Sequence, residues 1–315
     1  MFRFSITKFI SDELKVPRLR WELLRTLIVF TIFAVVVITM MLAQIASDRL
    51  FDRYVKKVIK KNPTVQITKL DDPAGREYAM EPLHDVVFTI LPDWSHRRSW
   101  LPDVLLSPLI AIGVIFSVVL AQNRRIPYQG FVVVRRILFI ISILYTFRTI
   151  TFLLTTVPSP LNNCIPMYVR DHDLANYLIL IGRMASGKVT ACTDNIYSGH
   201  TTLITVMVLS LIHYSGVMFI KIYAVLHGSV AIFSILITRL HYSVDIIIAL
   251  LLASFVYLGY HCMIAIYIDT CVLRDKKTID THPNIYEERR LLLRIISFPI
   301  LKFLSWIDGL DLRDP

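Results

Sequence analysis

Charge is scarce in this chain. Only 18% of its 315 residues are Asp, Glu, Lys or Arg, where a soluble domain carries roughly a quarter. The deficit is gathered into a few long runs almost free of ionisable side chains. That excludes an ordinary soluble fold and is the pattern of membrane spans. Metal-binding spacing is absent from the four cysteines, because Cys164, Cys192, Cys262 and Cys271 stand apart. A Lys/Arg stripe interleaved with aromatics is missing too. The net charge of +10 therefore reads as basic flanks facing anionic lipid headgroups, not as nucleic-acid binding. No cleavable signal is legible either. Residues 1–22 hold Asp12, Glu13 and Glu22, and the apolar run behind them is too long for a signal core. That run reads as a retained first anchor.

What is present is a set of six apolar runs. They cover about Leu23–Ala46, Leu101–Ala121, Ile137–Val157, Tyr197–Tyr214, Val217–Ile237 and Val244–Ile266. Roughly 20 residues cross a hydrocarbon core about 30 Å thick, so the lengths fit an all-α, polytopic membrane protein with six transmembrane helices. The organisation follows: a cytosolic N-terminal segment over 1–22, a six-span catalytic membrane domain over 23–267, and a cytosolic tail over 268–315. Two polar segments, Ser47–Trp100 and Ser159–Asn195, interrupt the spans, and Pro63, Pro73, Pro82 and Pro92 block a long helix in the first. Gln122–Arg136 reads as a short loop with four arginines, and RRLLLRIISFPILKFLSWI near the end as a stretch lying along the membrane surface. Six spans put both termini on one side. Alternation then places the starts of spans four and six together on the other, and with them His200 and His241.

Three elements carry chemistry. Arg148 stands inside an apolar run, where a charge normally faces a partner or a polar cavity. It is either paired to a buried acid, or snorkelling, or a guanidinium fork for a phosphate. Ser198-Gly199-His200 opens a span, where free backbone N–H groups suit a phosphate oxygen. His241 and Asp245, four residues apart, share a helix face, so the carboxylate can fix the ring's tautomer and raise the basicity of its other nitrogen. Taken alone, each has a bland reading. Together, with both histidines at one face, they form a constellation for phosphoryl transfer, which is mostly positioning and charge stabilisation.

These blocks resemble the sphingomyelin-synthase family of sphingolipid synthases, relatives of the lipid phosphate phosphatases. Arg135-Arg136, Leu144-Tyr145, Arg148, Thr151 and Pro158-Ser159-Pro160 look like its RR…LYxxR…T…PxP block. Cys192 through Thr201 looks like CGDxxxSGHT, and His241 to Asp245 like HYTxD; Leu91-Pro92-Asp93 is a weaker match to PLPD. The resemblance covers roughly residues 80–260. It implies transfer of a phospho-headgroup (phosphocholine, phosphoethanolamine or phosphoinositol) from a glycerophospholipid to ceramide, releasing diacylglycerol. It implies His200, His241 and Asp245 as the catalytic set, with Arg148, Tyr145, Asp194, Ser198, Gly199 and Tyr242 toward phosphate or substrate, and no metal or cofactor. Asp194 keeps three readings: tuning His200, binding a headgroup cation, or capping the helix. A multi-pass protein of the Golgi follows, or of the endoplasmic reticulum or plasma membrane, with its site facing the lumen or exterior.

Departures from the family are small. Thr193 replaces a glycine and Ser243 a threonine; both adjoin the triad and bear on headgroup choice. The longer branch, with a sterile-alpha-motif domain ahead of span one, is not matched. Ile235 stands where the phosphatase relatives carry an arginine, which favours the synthase branch. The rivals are a hydrolase passing the same phosphohistidine to water, and a transporter or receptor without catalysis. Headgroup and oligomeric state, homo-oligomer included, stay open. Cys164 and Cys192 share one extra-cytosolic segment and are expected to be bridged or close.

Overall fold

Apolar runs of this length leave the backbone one inexpensive solution inside a bilayer, the α-helix, which satisfies every N–H and C=O within the segment. A computed structural model describes residues 17–61, 68–69, 78–79, 82–98, 100–121, 129–161, 164, 167, 174–187, 189, 191–267 and 298–308. Its helices, in chain order, are α1 (Pro17–Lys61), α2 (Val86–Ile90), α3 (Ser95–Arg98), α4 (Leu101–Ala121) and α5 (Gln129–Leu154). They continue with α6 (Leu174–Ala185), α7 (Gly199–Tyr214), α8 (Met218–Ile237), α9 (Ser243–Tyr267) and α10 (Phe298–Asp308). A two-residue antiparallel pair, β1 (Thr68–Lys69) with β2 (Tyr78–Ala79), lies between α1 and α2.

The fold is all-α and multi-pass, as expected. Among the described residues five helices are long and apolar enough to cross a membrane: α1, α4, α5, α8 and α9. The remaining expected span is α7, an apolar helix of 16 residues, roughly 24 Å long. Lipid-facing positions show the usual inversion, with Phe219 77% and Phe255 71% exposed.

The expected extent of the first span needs correction. The first helix does not stop at Ala46 but continues to Lys61, two residues before Pro63. Hydropathy marks where the apolar run ends, whereas a helix ends at a breaker, and Pro63 is the first one available. The polar segment 159–195 also holds a helix, α6, over Leu174–Ala185, with one strongly apolar face. Tyr177, Leu180, Ile181 and Met184 on that helix pack on buried Ile45 and Met167.

The chain divides into two compact units that share the long helices. One comprises Met1–Ile32, Val114–Ile140 and Phe255–Pro315. Here Arg135 and Arg136, read above as loop residues, sit within α5. Arg135 is fully buried and donates through Nη1 to Glu22 Oε2 at 2.5 Å. Arg136 Nε donates to Asp308 Oδ1 at 2.8 Å, and the Tyr260 hydroxyl reaches the same oxygen at 3.2 Å. Buried charges persist only when paired, and Asp308 is the pairing that seats α10 on α5 and α9. Of the stretch expected at the membrane surface, residues before 298 lie outside the described residues.

The second unit comprises Phe33–Gly113 and Ile141–Ser254. In it α7 and α8 approach closely because Gly228 has no side chain: a Cβ there would stand 2.6 Å from Val208 Cγ2. Small residues permit such contact between membrane helices. This unit carries all the residues discussed next, apart from Cys262 and Cys271.

Candidate functional site

The site is assembled around the start of α7. Ser198 caps that helix: its Oγ accepts the Thr201 N–H at 3.2 Å and its carbonyl accepts the Thr202 N–H at 3.0 Å. The Ser198 hydroxyl is therefore engaged with the helix, and the capping option for Asp194 is taken by its neighbour. Gly199 follows, pressed against Arg148. A Cβ at Gly199 would land on Arg148 Nη1 and only 2.7 Å from Cζ. Glycine is what lets the guanidinium lie on the helix N-terminus.

Arg148 is held there by Asp194. Its Nε donates to Asp194 Oδ1 at 2.8 Å, its Nη2 pairs with Oδ2, and Gln44 Nε2 donates to the same Oδ2. The buried-acid option for Arg148 is thus realised, and with it the fork's orientation. Two prongs are bound while Nη1 lies over Gly199. Asp194 neither caps a helix nor reaches His200.

The strand of chain leading to this point is anchored from α1. Asp48, fully buried, accepts N–H bonds from Met167 at 2.9 Å, Cys192 at 3.2 Å and Thr193 at 3.1 Å. Thr193 Oγ1 adds bonds to Asp48 at 2.7 Å and Ser47 at 2.8 Å. The departure from glycine at 193 therefore buries a hydroxyl in this anchor. Cys164 and Cys192 are disulfide-bonded, with Cα atoms 5.6 Å apart, as expected. Cys262 is free, and Cys271 lies outside the described residues.

The second histidine sits on the turn between α8 and α9. His241 is buried, and its Nδ1 stands 3.7 Å from Asp245 Oδ2, longer than a hydrogen bond, with no hydrogen-bond partner among the described residues. That carboxylate instead accepts the Tyr242 N–H at 3.1 Å, fixing the turn. Burial, then the nearby Arg148 charge, push the His241 pKa down to about 3, so the ring is neutral. Tyr242 turns its hydroxyl to the Pro158 carbonyl at 3.0 Å and accepts the Leu83 N–H at 2.9 Å. Its part is to pin the turn.

Residues 82–94 wrap the same turn. Asp85 accepts the Ser243 N–H at 2.7 Å and the Ser243 hydroxyl at 3.1 Å while capping α2. Asp93 pairs with Arg239 at 3.2 Å, a residue held at φ 51°. Asp85, in Pro82-Leu83-His84-Asp85, thus ties this segment to the turn through Ser243, and Asp93 ties it through Arg239. Ser243 keeps the hydroxyl that Asp85 binds.

A cavity of about 380 Å³ joins these pieces. Its lining includes Gln44, Asp103, Tyr145, Arg148, Asp194, Gly199, His200 and His241, with Met40, Met41 and Met184 on the apolar side. The structure therefore brings His200, His241, Arg148 and Tyr145 to one space, large enough for a phospho-headgroup. Sequence reasoning passed over Asp103, whose Oδ1 lies 2.8 Å from His200 Nε2. A signal existed. Asp103 opens the second span as His200 opens the fourth and His241 the sixth, so the same alternation places all three at one face.

Comparison with known proteins gives a consistent picture. Residues 191–262 match the family described as PAP2 superfamily C-terminal. The chain is 29% identical over 210 residues to a human phosphatidylcholine:ceramide cholinephosphotransferase 1, covering 64% of this chain and 49% of that protein. It is 30% identical over 210 residues to the rat phosphatidylcholine:ceramide cholinephosphotransferase 2, covering 64% and 55%. A Caenorhabditis elegans phosphatidylcholine:ceramide cholinephosphotransferase 2 matches at 26% over 195 residues, covering 58% and 56%. The chain spans about half the length of these relatives. The resemblance read from the motifs is borne out.

Proposed function

We propose that this protein transfers the phospho-headgroup of a glycerophospholipid to the primary hydroxyl of ceramide, releasing diacylglycerol. The observation that carries the reading is one cavity lined by His200, His241 and Arg148. The similarity to ceramide cholinephosphotransferases supports the same substrate classes.

The chemistry runs through two displacements. Neutral His241 attacks phosphorus, forming an N–P bond as the bond to the diacylglycerol oxygen breaks. His200, as imidazolium, gives that oxygen its proton. His200, now neutral, takes the proton of the ceramide hydroxyl as this oxygen attacks the phosphohistidine and His241 departs. Asp245 steadies the turn that holds His241; Arg148 and the backbone at Gly199 stabilise the phosphoryl oxygens. Each half-reaction is balanced by one proton shuttled through His200.

The Cys164–Cys192 bridge supports an oxidising side for the segment that leads into the site, hence a lumenal or exterior active site in a Golgi-type secretory membrane. The decisive experiment offers detergent-solubilised protein a labelled ceramide with phosphatidylcholine, phosphatidylethanolamine or phosphatidylinositol in turn. A labelled phosphosphingolipid with one of them supports the reading and names the donor. Free phospho-headgroup with unaltered ceramide would make the protein a hydrolase, and no turnover would end the catalytic reading.

A further inference from the structure

We propose that α6 is a lipid-docking helix: its outward apolar face is covered by lipids of the leaflet on the active-site side, and it holds the mouth of the cavity at their depth. The placement goes beyond the proposed function, and only its kinetic consequence rests on that reading. The residues of α6 divide into three faces. Tyr177, Leu180, Ile181 and Met184 turn inward onto Ile45 and Met167. Asn176 and Arg183, seven residues apart and so on one line of the helix, form a narrow exposed polar strip. The remaining exposed surface is apolar. Leu174, Leu178 and Ile179 are 71%, 60% and 56% exposed there, with Ala175, Gly182 and Ala185 between them. A helix apolar on two faces needs a second apolar neighbour.

Its depth identifies that neighbour. The inward face packs on Ile45, the last residue but one of the apolar run in α1, and Asp48 and Arg49 follow at once. That is the level at which hydrocarbon gives way to headgroups. Leu42 and Ala46, flanking Ile45, are exposed as lipid-facing span positions are. The 12 residues of α6 reach roughly 18 Å, too short to cross a core of about 30 Å. The helix therefore lies in the boundary, between the end of α5 and the start of α7. Its rim is cationic: Arg183 is exposed, and Arg49 lies over the Tyr177 ring while donating to its hydroxyl at 2.9 Å. Cations at that level suit lipid phosphates. The same helix reaches the site. Met184 packs inward and, with Ala185, lines the cavity beside Met40 and Met41 of α1. The apolar side of the cavity is thus built by the two elements whose outer surfaces meet lipid. A donor whose headgroup enters there keeps its chains in the leaflet.

The test places the full chain in phosphatidylcholine vesicles with brominated acyl chains. A fluorescent label is attached at Leu178→Cys in a chain also carrying Cys262→Ser and Cys271→Ser. It should be strongly quenched, seated about 5–10 Å into the headgroup and acyl boundary. The same label at Lys57→Cys, well past the apolar run of α1, should not be. A label at 178 that the bromines leave bright and aqueous iodide quenches would overturn the proposal. Disulfide crosslinks between copies through Cys at 178 would replace lipid by a second copy of the chain. Leu178→Ser with Ile179→Ser should raise the KM for a long-chain donor in vesicles about tenfold at unchanged kcat. A short-chain, monomeric donor should be turned over as before, and Leu178→Met with Ile179→Met should match wild type. Equal loss with both donors would overturn the link between the helix and the cavity mouth. The quenching arm needs no turnover. If the label meets the chains in a protein that turns over no lipid, the proposed function fails and the placement of α6 stands.

Discussion

Replacing Gly199 by Ala adds one methyl group, and the structure fixes what it must displace. The new Cβ falls on Arg148 Nη1 and within 2.7 Å of Cζ. The guanidinium cannot withdraw freely, because Asp194 binds it through Nε and Nη2 and Gln44 holds Asp194 in turn. Arg148 and Asp194 are 8% and 11% exposed at the side chain, so their pairing belongs to the buried regime, where separating two partners costs about 3–5 kcal/mol. The chain then either breaks that pair or unwinds the first turn of α7, and both move the cation from the phosphoryl oxygens. Activity should fall at least about 10²-fold, with a lowered unfolding temperature in detergent. The assay is diacylglycerol release from a labelled donor, read beside thermal unfolding. In an Arg148→Ala background the same methyl no longer meets the guanidinium, and its added cost should be about 0.5 kcal/mol or less. A Gly199→Ala protein with wild-type turnover and stability would refute the packing argument. A methyl that costs as much without Arg148 as with it would do the same.

His200→Ala should be substantially rescued by a nitrophenyl phosphodiester donor in the first half-reaction, while His241→Ala should not; Asp245→Asn should fall between, and rescue of the opposite variant would reverse the roles. Double replacement of Cys164 and Cys192 by Ser should destabilise the protein by up to about 3.5 kcal/mol for a loop of this size, and lower turnover because Asp194 follows two residues after the bridge. Burial of neutral His241, with a folded pKa near 3 against an ordinary 6.5, makes stability fall with acidity. Between those values the unfolded chain binds a proton that the folded one refuses, a loss of up to about 1.4 kcal/mol per pH unit below 6.5. His241→Gln should flatten that part of the stability–pH curve, and an unchanged slope would count against a neutral, buried ring.

By itself the sequence determined the membrane class, the positions of the apolar spans and the common face of His200 and His241. These are properties of composition, period and parity, which survive without any knowledge of packing. It also marked Arg148 as needing a partner, because an intramembrane charge cannot stay alone. It could not say which partner. Asp194 on Arg148, Asp103 on His200, Asp85 on Ser243 and Asp48 on Thr193 join positions 46, 97, 158 and 145 residues apart. Such separations leave no local periodicity to read. The HxxxD spacing shows the limit from the other side: i, i+4 placed Asp245 beside His241, yet the carboxylate went to the Tyr242 backbone and stopped 3.7 Å from the ring. Spacing sets which side chains can meet, and only the packed structure, in which each buried donor and acceptor must be satisfied at once, decides which of them do.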